Sequence, residues 1–176
     1  MLEDIPLILK RADAPFNWVT GNLQQTTPPF EPYLFRDILV NDLVIQVTKA
    51  AFGRGQFCNF YSGNTAMPSE HRQPVHFDFA SLWPGQSSDH PAYGFIVNIP
   101  VVPMSAENGS IELYPRSHTV TIPQDLQGLT LPEEMLAAQR QIAAPLQPTV
   151  PLGGVVIRDN RLWHAGMPNR TQTSRR

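Results

Sequence analysis

Apolar positions along the chain change their period near residue 55. Between Pro32 and Gly53 they recur at helical spacing: Leu34, Phe35, Ile38 and Leu39, then Leu43, Val44, Val47 and Ala51. Asn41-Asp42 breaks the first run and supplies a fresh N-cap, and Gly53 reads as a C-cap. From Gln56 the period shortens toward that of a strand. Residues 56–61 read as a strand closed by Ser62-Gly63-Asn64, and residues 75–82, 93–102, 110–114, 155–157 and 162–164 as further strands. Glu107-Asn108-Gly109-Ser110 is a turn signal, which predicts that 110–114 folds back on 93–102. Residues 119–150 read as a long insertion, in which Thr130-Leu131-Pro132-Glu133 resembles a capping box opening a helix to about Gln141.

Many short strands separated by Gly, Pro and Asn turns, after one helical segment, predict a mainly β domain of sandwich or jelly-roll type. The 18 prolines support this, because they suit short strands joined by turns and disfavour a helical bundle. A chain of 176 residues without repeats or an interdomain linker fits one domain, with 1–53 as an irregular and helical preamble and 54–176 as the β core. Residues 1–32 read as a surface wrap. Hydrophobic residues at 41% suffice for a core. The net charge of −2 carries no footprint for nucleic acid. The apolar run at residues 5–9 is too short for a membrane span or a secretory signal. Cys58 stands alone, so no internal disulfide forms and a reducing, cytoplasmic setting is expected.

Against this background one constellation carries chemistry. In His76-Phe77-Asp78 the imidazole and the carboxylate fall on the same face of a strand, because strand side chains alternate. By itself His-x-Asp is a weak signal, and a hydrogen-bonded surface pair is the better explanation of it. Its setting among Val75, Phe77 and Phe79 puts the polar pair on one face and apolar groups on the other. Two ionisable groups facing a small interior are costly unless they are paired or hold a metal. His164, between Trp163 and Ala165-Gly166, is a core histidine on the bland reading and a third ligand on the sharper one. Two histidines and one carboxylate with open positions are the ligand set of non-haem Fe(II) oxygenases. His71 and His90 lie in polar or turn-like stretches, and His118 at a strand end reads as structural. Trp83 and Trp163 read first as core residues. Asn98 is a polar residue in an apolar strand, and so is either structural or a contact to a bound molecule.

Four segments, in order, resemble the phytanoyl-CoA dioxygenase family of Fe(II)/2-oxoglutarate oxygenases. Gln73-Pro74-Val75-His76-Phe77-Asp78 is similar to that family's first metal motif. Glu107-Asn108-Gly109-Ser110-Ile111-Glu112-Leu113-Tyr114-Pro115-Arg116-Ser117-His118 resembles its "ENG…PGSH" segment, with Arg116 where glycine is usual. Residues 153–166 are similar to its distal-histidine strand, ending His164-Ala165-Gly166. Pro168-Asn169-Arg170 then leads to Arg175, eleven residues beyond His164, where the family has its 2-oxoglutarate-binding arginine. The resemblance covers roughly residues 34–176 and implies a double-stranded β-helix, cupin-like, with the metal at its open end.

The resemblance also implies roles. His76, Asp78 and His164 would hold Fe(II). 2-Oxoglutarate would chelate it as cosubstrate, with its far carboxylate on Arg175, and Arg170 and Arg176 as fallbacks. Thr173 or Ser174 would assist, and Gln73 and Asn98 are further candidates for polar contact with the cosubstrate. With O2, the expected reaction hydroxylates a C–H bond of a small organic molecule and releases succinate and CO2. The intact Asp78 favours hydroxylation over halogenation, because related halogenases have a small residue there. The chain stops where the family continues into another strand, which predicts a frayed end around Arg175. Two other readings stand beside this one: a non-catalytic jelly-roll binding module, and a cupin-like metalloenzyme that does not use 2-oxoglutarate. Neither the substrate nor the oligomeric state is readable.

Overall fold

The computed structural model describes residues 7, 10, 12–13, 21–79, 82–83 and 90–175. Most of the first twenty residues of the surface wrap read for 1–32, the end of the strand read at 75–82 and the fallback Arg176 lie outside them, and the rest of that wrap is corrected by a strand at Asn22–Thr26 that buries Leu23.

The helical preamble forms much as its apolar spacing predicts. A short helix α1 (Arg36–Leu39) precedes α2 (Asp42–Phe52). Asn41 caps α2, its side-chain oxygen accepting from Val44 N at 3.2 Å, and so satisfies one of the donors a helix start leaves unpaired. Gly53 closes the helix at φ 79°, a conformation that costs glycine little. Neither helix buries a residue fully, and Leu43 and Val47 are exposed. Phe52 contributes instead by packing on Phe95, ring centroids 4.6 Å apart.

Strand β1 (Asn22–Thr26) pairs antiparallel with β2 (Ser62–Ala66). The strand read at 56–61 is therefore displaced. Those residues are irregular, with Phe57 and Phe60 exposed, and the Ser-Gly-Asn expected to end a strand begins one. Turn-forming residues pair here because β1 offers a complete ladder of partners, which outweighs their low strand propensity.

The remaining pairings are non-local. Strand β3 (Phe95–Asn98) pairs with β5 (Val156–Asp159), and β4 (Glu112–Leu113) with β6 (His164–Ala165), all antiparallel. The hairpin expected between 93–102 and 110–114 does not form. Residues 99–109 turn back on themselves, with Ser105 N bonded to Asn108 Oδ1 and Ser110 N to Ser105 O, and deliver β4 to β6 instead. The regular pairs are two-stranded and do not by themselves trace a closed jelly roll.

Nor is 119–150 a detached insertion. It is stitched into the β core at Thr130 opposite His76, Leu146 opposite Leu113, and Val150 opposite Met104. Its helix α3 (Glu133–Ile142) is capped by Pro132, with no side-chain hydrogen bond. Thr130 does not act as a cap, since its backbone pairs with His76; Glu133 and Glu134 in the first turn suit the helix dipole instead.

The core is Val75, Phe77, Tyr114, Leu131, Leu136, Trp163 and Ala165. Two of its segments alternate with the site: Val75 and Phe77 flank His76, and Trp163 and Ala165 flank His164. Trp163 is 1% exposed, as a core tryptophan should be, whereas Trp83 is 53% exposed and meets His90 edge-on. Arg116 occupies the left-handed region at φ 69°, which explains why the resembling family has glycine there.

A buried ion pair braces the turn after β5. Asp159 Oδ1 accepts from Arg161 N and Nε at 2.9 Å, and Oδ2 from Nη2 at 2.8 Å. Burial pushes the Asp159 carboxyl up, but the hydrogen bonds and charge of Arg161 outweigh it and hold it below the ordinary range. The folded state therefore binds this proton more weakly than the unfolded chain, and the pair's stabilisation is present above about pH 4 and lost as pH falls through the folded value. Asp159→Asn is expected to cost about 1–3 kcal/mol at pH 7. Denaturant unfolding of both proteins at pH 7 and pH 3 should show that difference shrinking in acid. An equal difference at both pH values would mean that the charge is not what matters.

Candidate metal centre

The site begins with a narrow backbone pairing. His76 N donates to His164 O at 2.9 Å, and His164 N to His76 O at 2.8 Å, so the two histidines lie directly opposite each other. On the other side of residues 75–77 runs 129–131, with Leu131 N donating to Val75 O and Phe77 N to Leu129 O. His76 thus sits in a local three-stranded arrangement, and its ring meets that of His164 with centroids 4.3 Å apart. Among the described residues, the strand read at 75–82 keeps only bridge pairing at His76; Asp78 follows in a bend, which brings its Oδ2 to 3.6 Å from His164 Nε2. One donor atom from each of His76, Asp78 and His164 lies within 4.8 Å of the others.

Both histidines are held in the tautomer a metal needs. His76 Nδ1 lies 2.8 Å from Pro74 O, and His164 Nδ1 2.9 Å from Leu162 O. A carbonyl only accepts, so each Nδ1 carries a proton and Nε2 is the ring nitrogen left to ligate. Burial, and next the charge of Arg158, depress the His164 pKa to about 4, so this imidazole is neutral across the physiological range. Two imidazoles and a carboxylate are a donor set that could hold a divalent ion.

One group the sequence reading missed sits inside this set. Arg158, on β5, is buried; its Nη2 donates to Asp78 Oδ2 at 2.8 Å and lies 3.4 Å from His164 Nε2, with Nη1 3.3 Å from His164 Nδ1. The available signal was an arginine in an apolar strand whose alternate positions face inward. The register pairs Ile96 with Arg158 and Asn98 with Val156, so these four side chains share one face of the β3–β5 pair. Asn98 Oδ1 and Arg158 Nε are both buried there without a hydrogen-bond partner.

The other candidate residues are placed as follows. Gln73 is buried, and its Oε1 accepts from Gly166 N at 2.9 Å, tying the segment before His76 to the segment after His164. Arg175 is not at a frayed end: its N and O pair with Ala66 O and N at 2.9 and 2.8 Å. Its guanidinium donates to two backbone carbonyls, Nε to Asn108 O at 3.0 Å and Nη2 to Gly109 O at 2.8 Å. Thr173 and Ser174 are engaged with Asn169 and Met67, and Arg170 reaches Glu70 at the surface. His71 is exposed, and Arg161 Nη1 lies beside His90. No helix among the described residues is long and apolar enough to cross a membrane.

Comparison with known proteins agrees with this geometry. The chain is 27% identical over 149 residues to "Dioxygenase af480" of Aspergillus fumigatus, a match covering 82% of this chain and 42% of that protein. The fold is similar to that of HygX from Streptomyces hygroscopicus, solved with nickel, 2-oxoglutarate and hygromycin B bound, at a TM-score of 0.63 and 15% identity; the match covers 88% of this chain and 66% of HygX. It is also similar to AviO1 from Streptomyces viridochromogenes, at a TM-score of 0.59 and 23% identity over 88% of this chain and 62% of AviO1. The chain thus spans less than half the length of the curated relative it matches. The family model of phytanoyl-CoA dioxygenase matches residues 29–176, which take in His76, Asp78, His164 and strands β2 to β6, and the chain belongs to that family.

Proposed function

We propose that the protein is an Fe(II)- and 2-oxoglutarate-dependent dioxygenase that hydroxylates a small organic molecule at a C–H bond, built as one jelly-roll domain. The observation that supports this most is the convergence of one donor atom each from His76, Asp78 and His164, with His164 Nε2 3.6 Å from the Asp78 carboxylate. These three residues would hold the iron, which when bound supplies the oxidative chemistry with O2 and 2-oxoglutarate. The chain's own residues orient and shield. Pro74 O and Leu162 O fix the imidazoles, Gln73 locks the two ligand-bearing segments together, and the Val75–Phe77–Trp163 side of the core keeps water from the back of the site. Asn98, on an inward face with an unsatisfied acceptor, is the candidate for polar contact with cosubstrate or substrate.

Arg175 is the candidate anchor for the far carboxylate of 2-oxoglutarate. Two of its donors already serve backbone carbonyls, which fixes the plane of the fork that a carboxylate would meet. The same engagement favours a second reading, a non-catalytic jelly-roll binding module in which Arg175 only braces the loop at Asn108–Gly109. Aerobic incubation with Fe(II), ascorbate and 2-oxoglutarate separates them. The oxygenase is expected to release succinate above a protein-free control even without its substrate, and Arg175→Gln to lower that release at subsaturating 2-oxoglutarate. No succinate at any 2-oxoglutarate concentration would favour the module.

A further inference from the structure

The Arg158 guanidinium has no place in the two-histidine, one-carboxylate scheme, yet it is the most intimate neighbour of the ligands. Its Nη2 is hydrogen-bonded to Asp78 Oδ2 at 2.8 Å and lies 3.4 Å from His164 Nε2. Those are two of the lone-pair sites that a metal ion would have to occupy. The contact of Nη1 with His164 Nδ1 at 3.3 Å sets donor against donor, because Nδ1 already gives its proton to Leu162 O, so the guanidinium is held at this end by Asp78 and the Nε2 lone pair. Arg158 is 8% exposed and its Nε has no partner, so no other anion among the described residues explains its burial. A buried cation with a single carboxylate partner has little reason to be there unless that partner is what it serves.

We propose that Arg158 is a resident counter-cation of the metal pocket: it neutralises Asp78 and closes the triad while no metal is present, and must withdraw its Nη2 before a divalent ion can take Asp78 and His164. The inference rests on the triad being a metal site. Its consequence is a set of ligands that binds metal more weakly than the same three residues would alone, because loading must break a buried ion pair and bring a second cation within a few ångströms of the guanidinium. Arg158 is on this view a positioning residue, acting through Asp78.

Co(II) alone, titrated calorimetrically into the metal-free protein, tests this in the wild type, Arg158→Met and Arg158→Gln, with circular dichroism as the control for folding. The expected result is tighter Co(II) binding in both variants, on the order of tenfold or more. A residue that merely supported the fold would not give a gain of affinity when removed. Unchanged or weaker binding in a folded variant would overturn the proposal and leave the triad intact as a metal site. If wild type and both variants all fail to bind Co(II), the triad reading falls and takes this one with it. His164→Ala, placed in each background, should remove the binding and so locate it.

Discussion

Asp78→Ala is expected to abolish 2-oxoglutarate-dependent succinate release and to weaken divalent-metal binding by at least about 100-fold, more than the loss of an outer-sphere partner costs. Asp78 brings the only negative charge among the three ligands, since an imidazole carries none. Without it, an incoming cation meets two imidazoles and the uncompensated charge of Arg158. The same substitution also strands a buried guanidinium. Breaking a buried pair from one side costs about 3–5 kcal/mol, and the lower end applies here because the Asp78 side chain is 30% exposed. The two effects separate in the double variant Asp78→Ala/Arg158→Met, which should recover most of the lost stability while its metal binding stays far below that of the wild type. Denaturant melts alongside metal titrations read both. Wild-type succinate release from a folded Asp78→Ala protein would remove Asp78 from the site.

Trp163→Ala is expected to lower stability by about 3–5 kcal/mol, the range for emptying a large aromatic site in a core. Trp163 is 1% exposed at the centre of the core cluster. Its backbone is held on both sides, N by Ser117 Oγ at 2.8 Å and O by Tyr114 N at 3.0 Å. The indole therefore cannot be replaced by a backbone shift without moving His164, the next residue. Trp163→Phe should cost markedly less, because most of the apolar volume remains. Thermal melts of the metal-free proteins measure both. A loss below about 1 kcal/mol for the alanine variant would mean that the core can close over the gap.

How much of this was legible in the sequence depended on the range of the interaction. The Asn41 cap and the Gly53 terminus follow from local rules and occur in the structure, whereas His76 and Asp78 approach one another across a bend rather than along one strand face. The partners of each strand do not follow from such rules. Residues 110–114 carry a good turn signal before them, yet β4 pairs with β6 some fifty residues on, because the intervening loop bonds to itself first. Thr130 has the pattern of a capping residue, but a backbone place beside His76 claims it. Arg158 was the costliest omission. Sequence alone marks it as a charge in an apolar strand; only the β3–β5 register, together with the approach of Asp78, reveals what that charge meets. The Arg175 environment went unread for the same reason: its partners are backbone carbonyls from a loop nearly seventy residues earlier, which carry no side-chain signature.

The most direct test of an iron- and 2-oxoglutarate-binding triad is an anaerobic titration of the metal-free protein with Fe(II) followed by 2-oxoglutarate, read as the visible metal-to-ligand charge-transfer band. The expected result is a band that appears only when both are present, saturates at one equivalent of Fe(II), and is lost in His164→Ala. Correctly folded wild-type protein that binds Fe(II) yet gives no band at any 2-oxoglutarate concentration would contradict the dioxygenase assignment.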